Sequence, residues 1–405
     1  MKQGWEIKTI GEISEVINGG TPDTTISKFW DGENLWITPK DMGKLNSIYV
    51  DDTLRKITVE GLKNSSAKIL PPNSIILSSR APIGHLAINK SPMSTNQGCK
   101  GLVPKKGVDT LYLYYFLSKS IELLNSLGTG ATFKELSGSK LGSVEIPLPP
   151  LPEQQCIVAI LDEAFAAIAK AKANAEQNLK NAKELFESYL QGVFENKGEG
   201  WEQKKVNEIG KAQTGTTPKT VQKENYGDFI PFIKPADIDF SGIGDIRYDN
   251  EGLSEIGLKK GRKMESGSTL MVCIGATIGK VGFAQQVVSC NQQINSLTVK
   301  VEFEPKFIYY AMTSRAFQEK VLLEGKGAQA TLPIINKSKW ENLTISFPKS
   351  KTVQIKYVEK FDALSVESQK LQEIYLKKIT DLNELKKSIL QRAFNGELTI
   401  AKSLV

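Results

Sequence analysis

The sequence has little of the chemistry that metal sites and nucleophilic enzymes need. His85 is the single histidine in 405 residues, and the four cysteines form no Cys-x-x-Cys pair. A zinc site or a Ser/His/Asp triad would therefore depend on one imidazole, which lies in an apolar run. We expect a partly buried, hydrogen-bonded histidine, reduced structural thiols, and neither a catalytic residue, a bound metal nor a cofactor.

Long apolar segments are also missing. No stretch approaches the 18 apolar residues of a membrane helix, and the first ten residues carry charges where a signal peptide needs an apolar stretch. We therefore expect a cytoplasmic protein without a membrane partner. The content of 40% hydrophobic and 24% charged residues is typical of a folded globular chain. The net charge of +7 permits a polyanionic partner such as nucleic acid without requiring one.

The sequence repeats itself once. The motif Gly-Trp-Glu at 4–6 returns at 200–202, and Thr21-Pro22 returns as Thr217-Pro218, both after 196 residues. Small insertions then change the shift to 195, 199 and finally 200 residues. Further matching pairs are Asn96-Gln97 with Asn291-Gln292, Tyr114-Tyr115 with Tyr309-Tyr310, and Glu184-Leu185 with Glu384-Leu385. The chain therefore contains two copies of one structural unit.

Each copy begins with a globular region, at residues 1–150 and 198–348. Short β-type runs such as 74–77 and 269–274, separated by glycine and proline, indicate mixed α/β domains in an α+β chain. The stretch Gly19-Gly20-Thr21-Pro22 and its copy predict turns in which glycine supplies a positive φ. The first stretch is followed by Asp23-Thr24. The second is followed by Lys219-Thr220 but has proline where a nucleotide-binding loop has glycine before the lysine, so such a loop is not indicated.

Each copy ends with a helical region, at residues 151–197 and 349–405. Apolar residues recur there in alternating steps of four and three, which is the pattern of a coiled-coil seam. Both regions carry the same irregular step, after Ala175 and after Tyr375, so we predict that the two helices pack antiparallel in one register. About 40 residues of helix make a rod of roughly 60 Å. The simplest architecture is a pseudo-twofold ring in which the helices separate the globular domains.

With these features the sequence resembles the specificity subunits of type I restriction-modification systems. The resemblance covers essentially the whole chain. It rests on the two Gly-Trp-Glu motifs, on residues 149–155 with the Ile157 to Asp162 segment behind them, and on the terminal pattern from Leu385 to Leu398. The second copy departs from the pattern, because Lys351, Thr352 and Val353 replace Pro152, Glu153 and Gln154. The start of the second helix is therefore open.

The resemblance implies a non-catalytic DNA reader. The regions 1–150 and 198–348 would be target-recognition domains, and the chain would join two methyltransferase subunits and the restriction-translocase subunits. Since the two domains differ in sequence, the target would be two unlike half-sites of double-stranded DNA separated by an unread gap. The chain lacks an Asn-Pro-Pro-aromatic motif, a Walker pair and a convincing nuclease carboxylate cluster. The alternative is a coiled-coil adaptor that binds only proteins.

Base-reading candidates follow from hydrogen-bonding chemistry. Amide side chains can grip adenine through two bonds, and arginine can grip guanine in the same way. The candidates are Arg80, Asn96 and Gln97 in the first domain and Asn291, Gln292 and Gln293 in the second. Because Asn96 and Asn291 recur at equivalent positions, they are also explained as holding a loop that both domains share. Arg80 aligns with Gly275, so it varies between the domains as a specificity determinant should.

Further candidates lie on a strand-to-turn segment that both domains contain. They are Thr38, Lys40 and Asp41 in the first domain and Lys234 and Asp237 in the second. The two lysines would contact phosphate, although ordinary solvated lysines explain the pattern equally well. Lys134 and Lys326, beside glycine-rich loops, complete the set.

A helical spacer predicts a distance. Seven residues inserted after Ala175 and seven after Tyr375 preserve the seam and add about 10.5 Å of helix. B-DNA rises about 3.4 Å per base pair, so the unread gap should lengthen by up to about three pairs. Four-residue insertions turn the helix by slightly more than one turn, so they should weaken binding instead. Mapping methylated sites measures the gap, and an unchanged gap in an active seven-residue variant would show that the helices do not set the spacing.

Overall fold

The computed structural model describes residues 2–80, 82–130, 134–239, 246–325 and 333–398. It divides into two compact units, Met1–Asn174 with Lys378–Val405, and Ala175–Lys377. Both divisions fall inside long helices. Each unit therefore contains one globular domain together with part of each long helix.

The first domain is built on a five-stranded sheet. Its strands, in spatial order, are Ser14–Asn18, Cys99–Pro104, Ile75–Ser78, Leu86–Asn89 and Tyr49–Val50. The third of these strands is buried along its whole length, as a continuous apolar run at the centre of a sheet should be. A second sheet has the order Arg55–Ile57, Trp30–Ile37, Met93–Thr95, and Glu6–Thr9 pairs antiparallel with Glu145–Leu148.

The second domain repeats this plan. Its larger sheet has the order Gly210–Thr214, Ile294–Val299, Thr269–Val272, Val281–Phe283, and the other has the order Gly252–Leu253, Tyr226–Ile233, Val288–Cys290, Lys263–Met264. Trp201–Lys205 pairs antiparallel with Thr344–Pro348. In each domain one long strand pairs in parallel with a short one, Trp30–Ile37 with Met93–Thr95 and Tyr226–Ile233 with Val288–Cys290. The expectation of two mixed α/β domains related by an internal repeat is confirmed.

Short helices cover the sheets and connect their strands. In the first domain they are Ile10–Ile13, Pro39–Met42, Val59–Lys63, Thr110–Lys119, Ile121–Leu127 and Gly138–Gly142, with a 3-10 turn at Ser27–Phe29. In the second they are Val206–Ile209, Glu255–Lys260, Pro305–Thr313, Arg315–Gly325 and Lys337–Glu341, with 3-10 turns at Lys223–Asn225 and Pro235–Asp237. Within the described ranges, no helix combines the length and apolar character needed to cross a membrane.

Two long helices follow the domains, the central helix Leu151–Glu195 and the C-terminal helix Lys351–Phe394. Their first residues are 200 positions apart, so the second helix begins at the position equivalent to the start of the first. The buried residues of the central helix follow the predicted seam, as Ile157, Leu161, Ile168, Ala175 and Ala182 show. A coiled-coil seam is therefore the reason why these segments are helical.

Side-chain contacts establish that the helices run antiparallel within each unit. In the first unit, Lys172 donates to Asn383 over 3.2 Å, and the Lys386 ammonium lies 4.9 Å from the ring centre of Phe165. In the second unit, the Ser368 hydroxyl donates to the carbonyl oxygen of Ala182 over 2.6 Å, and the rings of Tyr189 and Phe361 are 5.9 Å apart. In both units a later residue of one helix meets an earlier residue of the other.

A buried glutamine attaches the start of each long helix to its own domain. The side-chain carbonyl of Gln154 accepts from the Asp109 N–H over 2.8 Å. Its side-chain amide donates to the carbonyls of Gly107 and Pro149 over 3.0 and 2.8 Å. Gln354 accepts from the Glu304 N–H and donates to the Pro348 carbonyl, both over 2.8 Å. Both side chains are fully buried. Gln354 therefore takes the place of Gln154, and aligning Val353 with Gln154 was wrong by one residue.

The end of the other long helix packs on the same domain. In the first unit the Phe394 ring lies 5.0 Å from Tyr112 and 5.5 Å from Phe116. In the second unit the Phe194 ring lies 5.5 Å from Phe307 and 5.8 Å from Trp201. Aromatic pairs at such distances add to the stabilisation from buried area. Each domain is thus held by the start of one helix and the end of the other.

Replacing Gln354 with alanine should destabilise the second unit. It leaves the buried Pro348 carbonyl and the half-buried Glu304 N–H without their side-chain partner, and a buried polar group without a partner costs about 1 to 3 kcal/mol. Urea unfolding should show a loss of about 2 to 4 kcal/mol for Gln354→Ala. Gln177→Ala, on an exposed position of the central helix in the same unit, should change stability by less than about 0.5 kcal/mol. Equal effects of the two substitutions would contradict this role.

Candidate nucleic-acid interface

Two loops that the sequence repeats lie against each other in the first domain. We call residues 19–22 the glycine loop and residues 96–98 the amide loop. The Gly20 N–H donates to the Thr95 carbonyl over 2.8 Å. The Thr21 hydroxyl donates to the side-chain carbonyl of Gln97, and the Asn96 amide donates to the Thr21 hydroxyl over 2.9 Å. The two repeated motifs therefore form one structure.

The second domain builds the same pair from the glycine loop at 215–218 and the amide loop at 291–293. The N–H of Thr216 donates to the Cys290 carbonyl over 2.9 Å. The Thr217 hydroxyl donates to the side-chain carbonyl of Gln292, as Thr21 does to Gln97. Gln97 and Gln292 are both exposed, so each domain presents one anchored glutamine to solvent.

The glycines allow the glycine loop to approach the amide loop closely. Gly19, Gly20 and Gly215 do not have a positive φ, so the expected reason for glycine was wrong. A Cβ atom on Gly19 would lie 2.0 Å from the Asn96 carbonyl oxygen, and one on Gly215 would lie 2.0 Å from that of Asn291. Only a residue without a side chain lets the backbones of the two loops meet.

The repeated asparagines hold their own loops. The Asn96 side-chain oxygen accepts from the Gly98 N–H over 2.8 Å, and that of Asn291 accepts from the Gln293 N–H over 3.1 Å. The Asn291 amide also donates to the side chain of Gln293 over 3.0 Å, and Asn291 is buried. These bonds are what the shared-loop explanation requires, while base contact by Asn96, Gln97, Asn291, Gln292 and Gln293 stays a prediction.

Arg80 lies beside the amide loop and is paired with a carboxylate. Its guanidinium is 2.9 Å from the Glu135 carboxylate, and the two residues also form a backbone bridge. Lys100 lies 3.9 Å from the same carboxylate and is buried. Burial lowers the pKa of Lys100, and the charge of Glu135 partly opposes that effect. Arg80, Asn96, Gln97, Lys134 and Glu135 together line a surface depression of about 400 Å³.

We call the bridged pair beside the amide loop of each domain its ladder, which is Arg80 with Glu135 in the first domain. The equivalent ladder in the second domain is apolar. Ile274 and Ile334 form the bridge that Arg80 and Glu135 form in the first domain. The neighbouring bonds agree, because the Leu136 N–H donates to the Ser79 carbonyl and the Ile335 N–H donates to the Cys273 carbonyl, both over 2.9 Å. Ile274, and not Gly275, therefore stands in the place of Arg80. Gly275 is an additional residue with a φ of +107°, which glycine adopts readily.

The strand-to-turn candidates build a capped turn in each domain. Asp41 accepts from the N–H and the hydroxyl of Thr38, over 3.1 and 2.7 Å. Asp237 accepts from the Lys234 N–H over 2.8 Å and is buried. Both aspartates therefore have structural partners. Lys40 is exposed on its turn, whereas Lys234 forms an ion pair with Glu251 at 2.5 Å.

Two lysine candidates remain, together with the expectations for metal ligands, His85 and the cysteines. Lys134 is exposed beside Glu135, and Lys326 lies outside the described residues. In the described part of the chain, no group of three histidine, cysteine, aspartate or glutamate side chains could hold a metal ion. His85 is half-buried, and its backbone N–H donates to the Ser78 hydroxyl over 2.8 Å. Burial raises the pKa of the Cys99, Cys273 and Cys290 thiols to about 12, so these thiols are protonated at neutral pH.

Sequence reasoning missed Glu135, Lys100 and the two loop threonines. Glu135 comes near Arg80 through a bridge between distant segments, and nothing in the local sequence indicates that pairing. Thr21 and Thr217 were visible as a repeated Thr-Pro pair, which was interpreted only as a turn. Their recurrence at nearly the same spacing from a repeated glutamine, 76 and 75 residues, was the signal for a contact.

Comparison with known proteins places the sequence in a family. The family model described as the type I restriction modification DNA specificity domain matches residues 2–180 and 198–388. The specificity subunit of the type I restriction enzyme MjaIX from Methanocaldococcus jannaschii is 39% identical over 248 residues, 57% of each chain. That of EcoR124I/EcoR124II from Escherichia coli is 36% identical over 196 residues, 47% of this chain and 48% of the relative. The chain therefore spans about half the length of these curated relatives.

Other matches cover nearly the whole chain. The EcoKI specificity subunit of Escherichia coli K12 is 23% identical over 433 residues, 98% of this chain and 90% of the relative. A structure from a study of complex assembly and conformational transition of the type I R-M system has a TM-score of 0.74 at 18% identity, covering 98% and 99% of the two chains. The HsdS subunit from Thermoanaerobacter tengcongensis has a TM-score of 0.65 at 16% identity, covering 98% of each chain. These structures share the fold.

Replacing Gly215 with alanine should disrupt the contact between the two loops. The new Cβ would overlap the Asn291 carbonyl oxygen, and forced backbone shifts of this kind cost about 1 to 3 kcal/mol. Gly192→Ala, in the central helix of the same unit with nothing within 4 Å, should instead stabilise by about 0.5 to 1 kcal/mol. Urea unfolding measures both variants. A stabilised Gly215→Ala variant would show that close approach is not the reason for this glycine.

Proposed function

The chain belongs to the type I restriction modification DNA specificity family, and on that premise we propose that it reads a bipartite, asymmetric site in double-stranded DNA. One observation carries the proposal. Both domains build the same pair of loops, and each pair lies beside a ladder whose side chains differ, Arg80 with Glu135 against Ile274 with Ile334. Two related domains that read different half-sites need the same loops with different side chains beside them.

Residues that both domains share and residues that differ between them would have different roles in DNA recognition. Residues common to both domains cannot distinguish two different half-sites, so the anchored glutamines would contact features that both half-sites have in common. The ladder residues differ between the domains, so they would supply sequence readout. Lys40, Lys134 and Lys234 would contribute contacts to phosphate, and the net charge of +7 favours such contacts. In this proposal Thr38, Asp41 and Asp237 shape the turns.

The partners would be two methyltransferase subunits and the restriction-translocase subunits of the same system. An exposed leucine recurs 200 residues apart in the two long helices, Leu185 with 40% and Leu385 with 47% of its surface accessible. Because the two positions are equivalent, they would offer the same contact to two copies of one partner. The chain itself would contribute neither a catalytic residue nor a cofactor, and it would act in the cytoplasm on the DNA present there.

The proposed units of recognition are residues 1–150 and 198–348, with 151–197 and 349–405 as helical spacers. If the domains read independently, replacing residues 1–150 with the equivalent domain of a relative should change one half-site only. Selecting bound duplexes from a randomised library with the full chain and its methyltransferase subunits would measure both half-sites. Affinity should fall steeply as salt rises, because phosphate contacts release counterions.

Two outcomes would count against the proposal. A change in both half-sites would contradict independent reading by two domains. No preference among duplexes at moderate salt would contradict DNA readout altogether and would favour the adaptor that binds only proteins.

A further inference from the structure

The two bridged ladders differ in chemistry at one equivalent position. In the first domain the Arg80 side chain is about half exposed, at 47%, and lies 2.9 Å from Glu135. In the second domain Ile334 is 48% exposed and Ile274 is half-buried. Each ladder lies next to the amide loop of its own domain. A Cβ atom on Gly98 would lie 3.7 Å from Arg80, and the Cys273 N–H donates to the Gln293 carbonyl over 2.7 Å.

The chemistry of the apolar ladder favours one base over another. Two bridged isoleucines present an apolar surface beside polar loops, and a surface of this kind suits the one apolar group in the major groove, the C5-methyl of thymine. The same isoleucines offer no donor to the O6 and N7 acceptors of guanine. Contact with guanine would therefore remove water from those acceptors without replacing its hydrogen bonds.

The charged ladder has the opposite preference. An arginine carries five N–H donors in a planar fork, and guanine presents two adjacent acceptors that match it. Glu135 takes only part of that fork, so donors are left for a base. The buried Lys100 on the other side of the carboxylate offsets its negative charge, so Glu135 can orient Arg80 with less repulsion of DNA.

We infer that this ladder is the specificity-determining position of each domain. Arg80, oriented by Glu135, takes a guanine in one half-site, and Ile274 with Ile334 takes the C5-methyl of a thymine in the other. The inference rests on the proposed function. Arg80 and the two isoleucines contact the bases, and Glu135 is a positioning residue.

Two base analogues test these contacts one at a time. After a bound site has been selected from randomised duplexes with the full chain and its methyltransferase subunits, each guanine of one half-site is replaced with 7-deazaguanine, which lacks the N7 acceptor. At one position binding should weaken, by up to the roughly 5- to 150-fold of a whole bidentate contact, because one of its two hydrogen bonds is lost. The same replacement should have no further effect in the Arg80→Ala variant.

The thymine contact is tested with deoxyuridine, which lacks only the C5-methyl. At one position of the other half-site, the replacement should weaken binding by about fourfold, the effect of removing one buried methyl group. The Ile274→Ala/Ile334→Ala variant should no longer distinguish thymine from uracil. The exchange Ile274→Arg/Ile334→Glu should make that position select guanine and leave the first half-site unchanged.

Matched controls separate these effects from general damage. Glu6→Ala/Lys8→Ala removes an ion pair of 3.1 Å from another strand of the first domain, and Val301→Ala removes an exposed apolar side chain from the second domain. Both controls should keep the selected site. Glu135→Ala should reduce the preference for guanine over the other bases. It should not lower the affinity for duplexes that carry another base at that position, since it removes a negative charge. A merely structural role would lower both quantities.

The outcomes distinguish the inference from the proposed function. If no duplex is selected, DNA reading itself is contradicted, and the inference with it. If a bipartite site is selected but neither analogue acts through the ladder residues, DNA reading stands and this inference is overturned. Loss of the guanine preference in Arg80→Ala together with loss of the methyl preference in the isoleucine variant supports it.

Discussion

The rest of the structure depends on the attachment of each long helix to its own domain by a buried glutamine. Gln154 and Gln354 satisfy backbone groups that would otherwise lack partners, and neither can move without breaking at least two hydrogen bonds. The aromatic contacts of Phe394 and Phe194 then hold the end of the other helix to the same domain. Each domain therefore has a fixed orientation on the helix pair within its own unit, and its loops are presented from a rigid base.

The internal repeat separates residues that both domains share from residues that differ between them. Residues that recur in both copies build the frame, and they include the loop glycines, threonines, asparagines and glutamines. Residues that differ at equivalent positions are free to vary because the frame does not depend on them. The ladder beside the amide loop is such a position, since a charged pair and an apolar pair are accommodated on the same backbone bridge.

Much of the fold could be predicted from the sequence, because repeated motifs and the coiled-coil seam are local patterns. The two α/β domains and the long helices follow from them. The alignment of the two copies was wrong where one copy has one residue more than the other. Gly275 lies between Ile274 and a matching Ala-x-Ile-Gly segment, so the sequence alignment assigned it the place of Arg80. The ladder bonds correct this assignment. The hydrogen bonds of the two buried glutamines likewise show that Gln354 corresponds to Gln154.

The candidate site was less predictable for a physical reason. Arg80, Asn96, Gln97 and Lys134 were identified by side-chain chemistry, and the structure brings them to one depression. Glu135 and Lys100 could not be identified in this way, because their importance comes from strand pairing and burial that no local pattern reveals. The positive φ expected for the loop glycines also failed, since close approach between two loops depends on tertiary contact.

We expect the amide loop and the ladder of each domain to face DNA. A structure of the full chain with its methyltransferase subunits on the selected duplex would show whether they do. Each amide loop should lie at the edge of a major groove, with the Arg80 guanidinium at a guanine and Ile334 against a thymine methyl. DNA that lies on another face of both domains, with these loops left in solvent, would contradict this expectation.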